Sequence, residues 1–214
     1  MFQFVLLSLA LIVLSVHATT QTFIPLDKND YAFHRGNLAS KVNVEFYIDL
    51  TCSSCLEEWP TLTQVYETYK NSVHFYYRLF PLPYHQQGFI VNKAAHVVNY
   101  YGKEDAVFTF FDNAFNNQAQ IYNSATYDST YRQVVDLVSA WAVNGTGVTV
   151  DQYNVGMNSS YPVGQQLEMA TRYMWKYTTI HQVFATPTFV VNGLMVGGLE
   201  SFEDWQKTLD ALIV

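Results

Sequence analysis

Cysteine is scarce in this sequence: Cys52 and Cys55 are the only two in 214 residues. Neither has any other partner within the chain, so a framework of several disulfide staples is excluded. Charge is scarce too. Acidic and basic residues together make up 14% of the chain, the net charge is −7, and Lys and Arg form no cluster. Nucleic acid and anionic lipid are therefore not expected as partners. The six histidines show no zinc-type spacing, and two cysteines alone fall short of the four ligands of a structural zinc site. No metal and no cofactor are expected. Beyond the N-terminal segment no run is long and apolar enough to cross a bilayer, and there is neither an internal repeat nor a low-complexity stretch.

What is present begins with Met1–Ala18, where Phe4 to Val16 is almost wholly apolar and Val16-His17-Ala18 has the small-residue pattern of a cleavage site. A secretory signal peptide over residues 1–18 is expected, cut near Ala18, although its start carries no Lys or Arg. The remainder is long enough for one well-buried domain with an insertion. Half the residues are apolar and 16% are aromatic, which describes a globular chain with a large core.

The two cysteines form Cys52-Ser53-Ser54-Cys55, between an alternating apolar run, Val42, Val44, Phe46, Ile48 and Leu50, and a helical stretch that begins near Leu56. A CxxC at a helix start places its first sulfur beside unpaired backbone N–H groups and the positive end of the helix dipole, which favours a reactive thiolate. The second sulfur lies one turn on, within reach of a disulfide. A redox pair is the leading reading. Zinc, a structural disulfide and two inert packed thiols compete with it, but a bond across so short a loop removes little entropy from the unfolded chain, and a helix start is a poor place for a buried inert thiol. If the pair is reactive, Cys52 is expected to be accessible and Cys55 buried.

A β-α-β unit is expected from the strand Val42–Leu50, a helix carrying Trp59, Leu62, Val65, Tyr66 and Tyr69, and a second strand Val73–Leu79 that ends at Phe80-Pro81-Leu82-Pro83. Pro60 should kink the helix. From Gln86 to His181 the period is helical, with stripes Val107, Phe108, Phe111, Phe115, then Tyr131, Val134, Val138, Trp141, then Leu167, Ala170, Met174, Tyr177. Breaks are expected at Tyr101-Gly102, Asn116–Ala125 and Asn144–Gly147. Strands return at Thr188–Val191 and Leu194–Val196 around Asn192-Gly193, a strong hairpin signature. Ser201-Phe202-Glu203-Asp204 then opens a last helix as a capping box. The first two strands should be parallel, with the hairpin as an antiparallel edge.

With the strand-CxxC-helix, Pro60, the run Arg78-Leu79-Phe80-Pro81-Leu82-Pro83-Tyr84-His85 and the run Ala185-Thr186-Pro187-Thr188-Phe189-Val190-Val191-Asn192-Gly193, the chain resembles the DsbA-like thiol:disulfide oxidoreductases of the thioredoxin-fold superfamily. The resemblance implies an α/β thioredoxin-like fold, a mixed sheet in the order β-α-β then β-β-α, with a helical insertion between the second and third core strands. The segments would be a first part of the core at 19–85, an insert at 86–181 and a second part of the core at 182–214. It further implies that Cys52 is the nucleophile, Cys55 the resolving cysteine, Pro187 a cis-proline facing the disulfide, and Thr186 a backbone platform for extended substrate. Ser53 and Ser54 stand where that family often has Pro-His or Pro-Tyr, and offer hydroxyls but no imidazolium. The family's buried acid, six residues before the first cysteine, is here Phe46; Glu45 is the alternative proton shuttle, one residue off and on the other strand face.

The implied activity is exchange of disulfides with protein thiols of exported or lumenal substrates, reset by an unidentified redox partner and without a cofactor. The implied location is the secretory pathway or periplasm. A thioredoxin-fold peptide-binding module with a passive disulfide, and a glutathione-transferase-like enzyme, are the competing functions. His85 follows a turn and is expected to be structural. Asn144-Gly145-Thr146 and Asn158-Ser159-Ser160 are possible N-glycosylation sequons on loops, and Ala211-Leu212-Ile213-Val214 carries no retention signal.

Overall fold

The computed structural model describes residues 31–213. The expected signal peptide, its cleavage site and most of the segment from Phe23 lie outside them. Five strands and seven helices follow the order β1 Phe33–Gly36, β2 Asn43–Ile48, α1 Ser53–Tyr69, β3 His74–Leu79, α2 Gly88–Tyr101, α3 Ala106–Asn116, α4 Tyr131–Val143, α5 Val150–Met157, α6 Pro162–Ile180, β4 Thr188–Val191, β5 Leu194–Val196 and α7 Phe202–Asp210, with a 3₁₀ turn at Gln118–Ile121 after α3. The sheet order is β1-β3-β2-β4-β5. This is a mixed α/β, thioredoxin-like fold with a helical insertion between β3 and β4.

β2 and β3 pair in parallel, Phe46 opposite Tyr77 and Ile48 opposite Leu79, as a β-α-β crossover requires. β4 runs antiparallel to β2 and β5 antiparallel to β4. Asn192 and Gly193 both have positive φ, 48° and 81°, the conformation that a two-residue hairpin turn demands and that this dipeptide adopts at little cost. The Asn192 side chain accepts from the Asn43 N–H at 2.8 Å and ties the hairpin tip to β2. Strand β1 was not expected: it pairs antiparallel with β3 on the far edge of the sheet.

Helices cover both faces. On one, Phe46 meets Phe75, Tyr77, Phe189 and the fully buried Trp205 of α7 with ring centroids 5.1 to 5.9 Å apart, and Trp59 of α1 and Phe108 of α3 pack on Tyr77. On the other, the Arg78 guanidinium lies 4.0 Å from the centre of the Tyr177 ring of α6. The strand therefore buries its polar-side residues as well, and Tyr47 and Asp49 are as hidden as Phe46 and Ile48. Helix α1 runs unbroken through Pro60. Among the insert stripes, Tyr131 departs from expectation: it is 60% exposed, while Val134, Val138 and Trp141 are buried. Among the described residues no helix is long and apolar enough to cross a membrane.

Candidate active site

Parallel pairing of β2 and β3 brings their C-terminal ends to one edge of the sheet, and antiparallel β4 begins at that same edge. The Cys52 loop, the Pro81-Leu82-Pro83 loop and the Thr186-Pro187 loop consequently meet there. Cys52 is the extended N-cap of α1, and no side chain caps the helix. Its sulfur stands at that helix start, where the backbone N–H groups of Cys55 and Ser54 favour its charged form.

The sulfurs are strongly unequal. A hydrogen bond from the Cys55 thiol, aided by Thr186 and the two helix N–H groups against the cost of burial, lowers the Cys52 pKa to about 5. Burial, followed by the bond to Cys52 and the repulsion of its charge, pushes Cys55 well above its ordinary value. Cys55 is fully buried, and the Asp49 N–H lies 3.4 Å from its sulfur. Cys52 is less open than expected, with 7% of its surface exposed. The reason is the neighbouring loop: the Thr186 carbonyl sits 3.5 Å from Cys52 Sγ, and the Thr186–Pro187 bond is cis. Ser53 and Ser54 are both exposed.

Glu45 is not brought to the sulfurs. It lies seven residues before Cys52 on a strand, roughly 20 Å at the usual rise per residue. Its carboxylate accepts from Arg78 Nε at 2.5 Å and from the Tyr47 hydroxyl at 3.0 Å, so it balances a buried guanidinium. Phe46 is aromatic core. The acid that reaches the site is Asp49, at the end of β2 and fully buried. Its Oδ1 accepts from the Thr51 N–H and hydroxyl at 2.9 and 2.6 Å; its Oδ2 accepts from the Leu82 N–H at 3.0 Å and pairs with His85 Nδ1 at 2.6 Å. Two backbone N–H groups, the Thr51 hydroxyl and the His85 ring nitrogen thus share its two oxygens. The bond to Asp49 raises the His85 pKa against the cost of burial, with smaller contributions from the charges of Asp49 and Cys52.

Gln118, in the 3₁₀ turn of the insert, was also missed. Its Nε2 donates to the carbonyls of Leu50 and Cys52 at 3.0 and 2.9 Å, and its Oε1 accepts from the Tyr122 hydroxyl at 2.6 Å. Asn123 donates to the Tyr84 carbonyl at 2.7 Å. Thr51, Ser53, His85, Gln87 and Ile121–Ser124 line a cavity of about 450 Å³ beside the cysteines. The spacing of Asp49 from Cys52, and the His85 that follows the proline loop, were visible as residues. Their meeting depended on the parallel register.

A family model described as thioredoxin matches residues 28–211. The chain belongs to the thioredoxin family. Among solved structures, BdbD from Bacillus subtilis is 14% identical, with 86% of this chain and 93% of that one covered and a TM-score of 0.69. The thiol-disulfide exchange protein α-DsbA2 from Wolbachia pipientis is 18% identical over 85% and 87%, TM-score 0.63. MdbA, a thiol-disulfide oxidoreductase from Actinomyces oris, is 17% identical over 86% and 85%, TM-score 0.62. At these identities the likeness is one of fold, and the fold of this thioredoxin-family chain is that of DsbA-type proteins. No curated protein matches the chain by sequence. Among the described residues, no cluster of three or more His, Cys, Asp or Glu is placed to hold a metal ion.

Proposed function

We propose that the chain is a thiol:disulfide oxidoreductase that exchanges disulfides with protein substrates, in which Cys52 is the nucleophile and Cys55 the resolving thiol. The observation that carries this is the placement of the two sulfurs at the start of α1, Cys52 Sγ 3.5 Å from the Thr186 carbonyl and Cys55 fully buried, with pKa values driven in opposite directions. In the oxidising direction a substrate thiolate attacks Cys52 Sγ, and the bond to Cys55 breaks. Cys55 leaves and takes a proton. A second substrate thiolate attacks the substrate sulfur of the mixed disulfide, forming the substrate's own disulfide and releasing Cys52 as a thiolate. Two electrons have passed from substrate to protein, and a separate redox partner must remove them.

The backbone at Thr186-Pro187 is the surface along which extended substrate would lie, and Ser53 and Ser54 are exposed beside Cys52. Residues 19–85 and 182–214 would form the exchanging core, with 86–181 as the insert that braces it. Compartments that permit disulfides, secretory or periplasmic, agree with the expected leader at 1–18. Asn144 and Asn158 are exposed, as sequon asparagines of a eukaryotic secretory protein would be.

Reduction of insulin by dithiothreitol and oxidative refolding of a reduced disulfide protein test the proposal. Wild-type protein should accelerate at least one, and Cys52→Ser should abolish the gain. A folded wild-type protein active in neither, with its Cys52–Cys55 bond unaffected by substrate thiols, would instead point to a binding module with a passive disulfide.

A further inference from the structure

A leaving thiolate at Cys52 is favoured by a nearby positive charge, and the dipeptide Ser53-Ser54 supplies none. His85 reaches the same place from another loop. Its ring lines the cavity shared with Thr51 and Ser53, the residues on either side of Cys52, and the side chain is 22% exposed. We propose that His85, fixed by Asp49, is the positioning residue that supplies the positive charge for the Cys52 thiolate, and that it takes up a proton when the disulfide is reduced. The proposal rests on the oxidoreductase reading of the cysteine pair.

Asp49 connects the parts. Its main-chain N–H faces Cys55 Sγ at 3.4 Å, and its carboxylate holds His85 Nδ1 at 2.6 Å. Because Nδ1 is turned to the buried Asp49 carboxyl group, the ring orientation is fixed, and protonation of the ring completes an imidazolium there. The Cys52 charge is the smallest contributor to the raised His85 pKa, after the bond to Asp49. Other charged and titratable groups face the ring from every side. Cys52 and Cys55 stand on α1, Tyr84 packs edge-on at 4.8 Å, and Tyr122 lies across the cavity. Arg172 and Lys176 of α6 share a second cavity of about 320 Å³ with His85. Of these two, Arg172 is bonded to Glu168. Arg, Lys and Tyr ordinarily titrate well away from neutrality, which leaves His85 as the group that changes charge there.

The proton balance follows. Two substrate thiols give up two electrons and two protons; one proton goes to Cys55, which ends as a thiol, and Cys52 ends as a thiolate. Between the His85 pKa of the oxidised protein and the higher one of the reduced protein, the second proton goes to His85. Above that window it goes to water.

Titration of the His85 ring by NMR in both redox states is the test, with alkylation of Cys52 against pH in His85→Gln and His85→Lys. His85 should titrate at higher pH in reduced than in oxidised protein, and the slope of the reduction potential against pH should double between the two midpoints. His85→Gln should raise the Cys52 midpoint by about one unit or more, as loss of a neighbouring opposite charge does, and His85→Lys should restore it. Equal His85 midpoints in the two states overturn the proposal, and so does an unchanged Cys52 midpoint in folded His85→Gln. If that variant does not fold, the wild-type titration decides. Neither readout needs turnover, so a pair that titrates as described but passes no disulfide to substrate would contradict the exchange reaction alone.

Discussion

A thiol with a pKa of about 5 is about 99% ionised at pH 7, whereas Cys55 stays protonated. Limiting iodoacetamide should therefore label Cys52 first in the reduced protein, with a rate that rises through pH 5 and then levels. Cys55→Ala should accumulate a mixed disulfide with substrate, and Cys52→Ala should not. Equal labelling of both thiols in mass spectra would contradict the placement. A pKa of about 5 lies above the lowest thiolate values, near about 3.5, as expected for a dipeptide without a cation. Ser54→His places an imidazolium on an exposed position at the helix start and should lower the Cys52 midpoint further, read by absorbance of the thiolate. At this scale the sequence named both sulfurs, Thr186 and Pro187. It misplaced the acid, because strand alternation puts Glu45 and Asp49 on one face and cannot tell which of them finds Arg78 and which finds His85.

Among the elements, the 3₁₀ turn at Gln118–Ile121 is the contact through which the insert supports the site. Gln118→Ala would remove the Gln118 donor from the buried Leu50 carbonyl and leave the Cys52 carbonyl only its bond from the Leu56 N–H, at a cost of roughly 1–3 kcal/mol. Urea unfolding should show that loss, and hydrogen exchange should rise around residues 50–55; an unchanged midpoint would show that other groups hold the loop. Trp205→Ala empties a fully enclosed site against Phe46 and Phe189 and should cost about 3–5 kcal/mol by the same measurement. The hairpin and the capping box at Ser201 were legible because Asn192-Gly193 and Ser201–Asp204 carry their signals locally. The capping boxes at Thr130 and Thr149 are equally local, in Thr130–Gln133 and Thr149–Gln152. Strand β1 was not legible: four residues, Phe-His-Arg-Gly, become a strand only by pairing with β3.

For the whole molecule, the low Cys52 pKa makes the reduced fold the more favourable one. The folded pKa lies below the unfolded value, so the contribution grows as pH rises through about 5 and is complete above the unfolded value near 9. At pH 7 it amounts to about 2–3 kcal/mol. Reduced protein should then unfold at higher denaturant than oxidised protein at pH 7, and the gap should close toward pH 5. An oxidised form that is the more stable at every pH would identify the bond as a staple. The topology of the molecule was legible from the order of its strands and helices, whereas the charge pair at Asp49 and His85 emerged only once parallel β2 and β3 set their loops side by side.

The most direct measurement is the reduction potential of the Cys52–Cys55 pair, from the fraction oxidised in glutathione buffers of known ratio. The thiolate setting predicts a value between those of thioredoxin and DsbA, about −270 and −120 mV. A value below about −300 mV, the range of structural disulfides, or a pair that never equilibrates with glutathione would contradict the account.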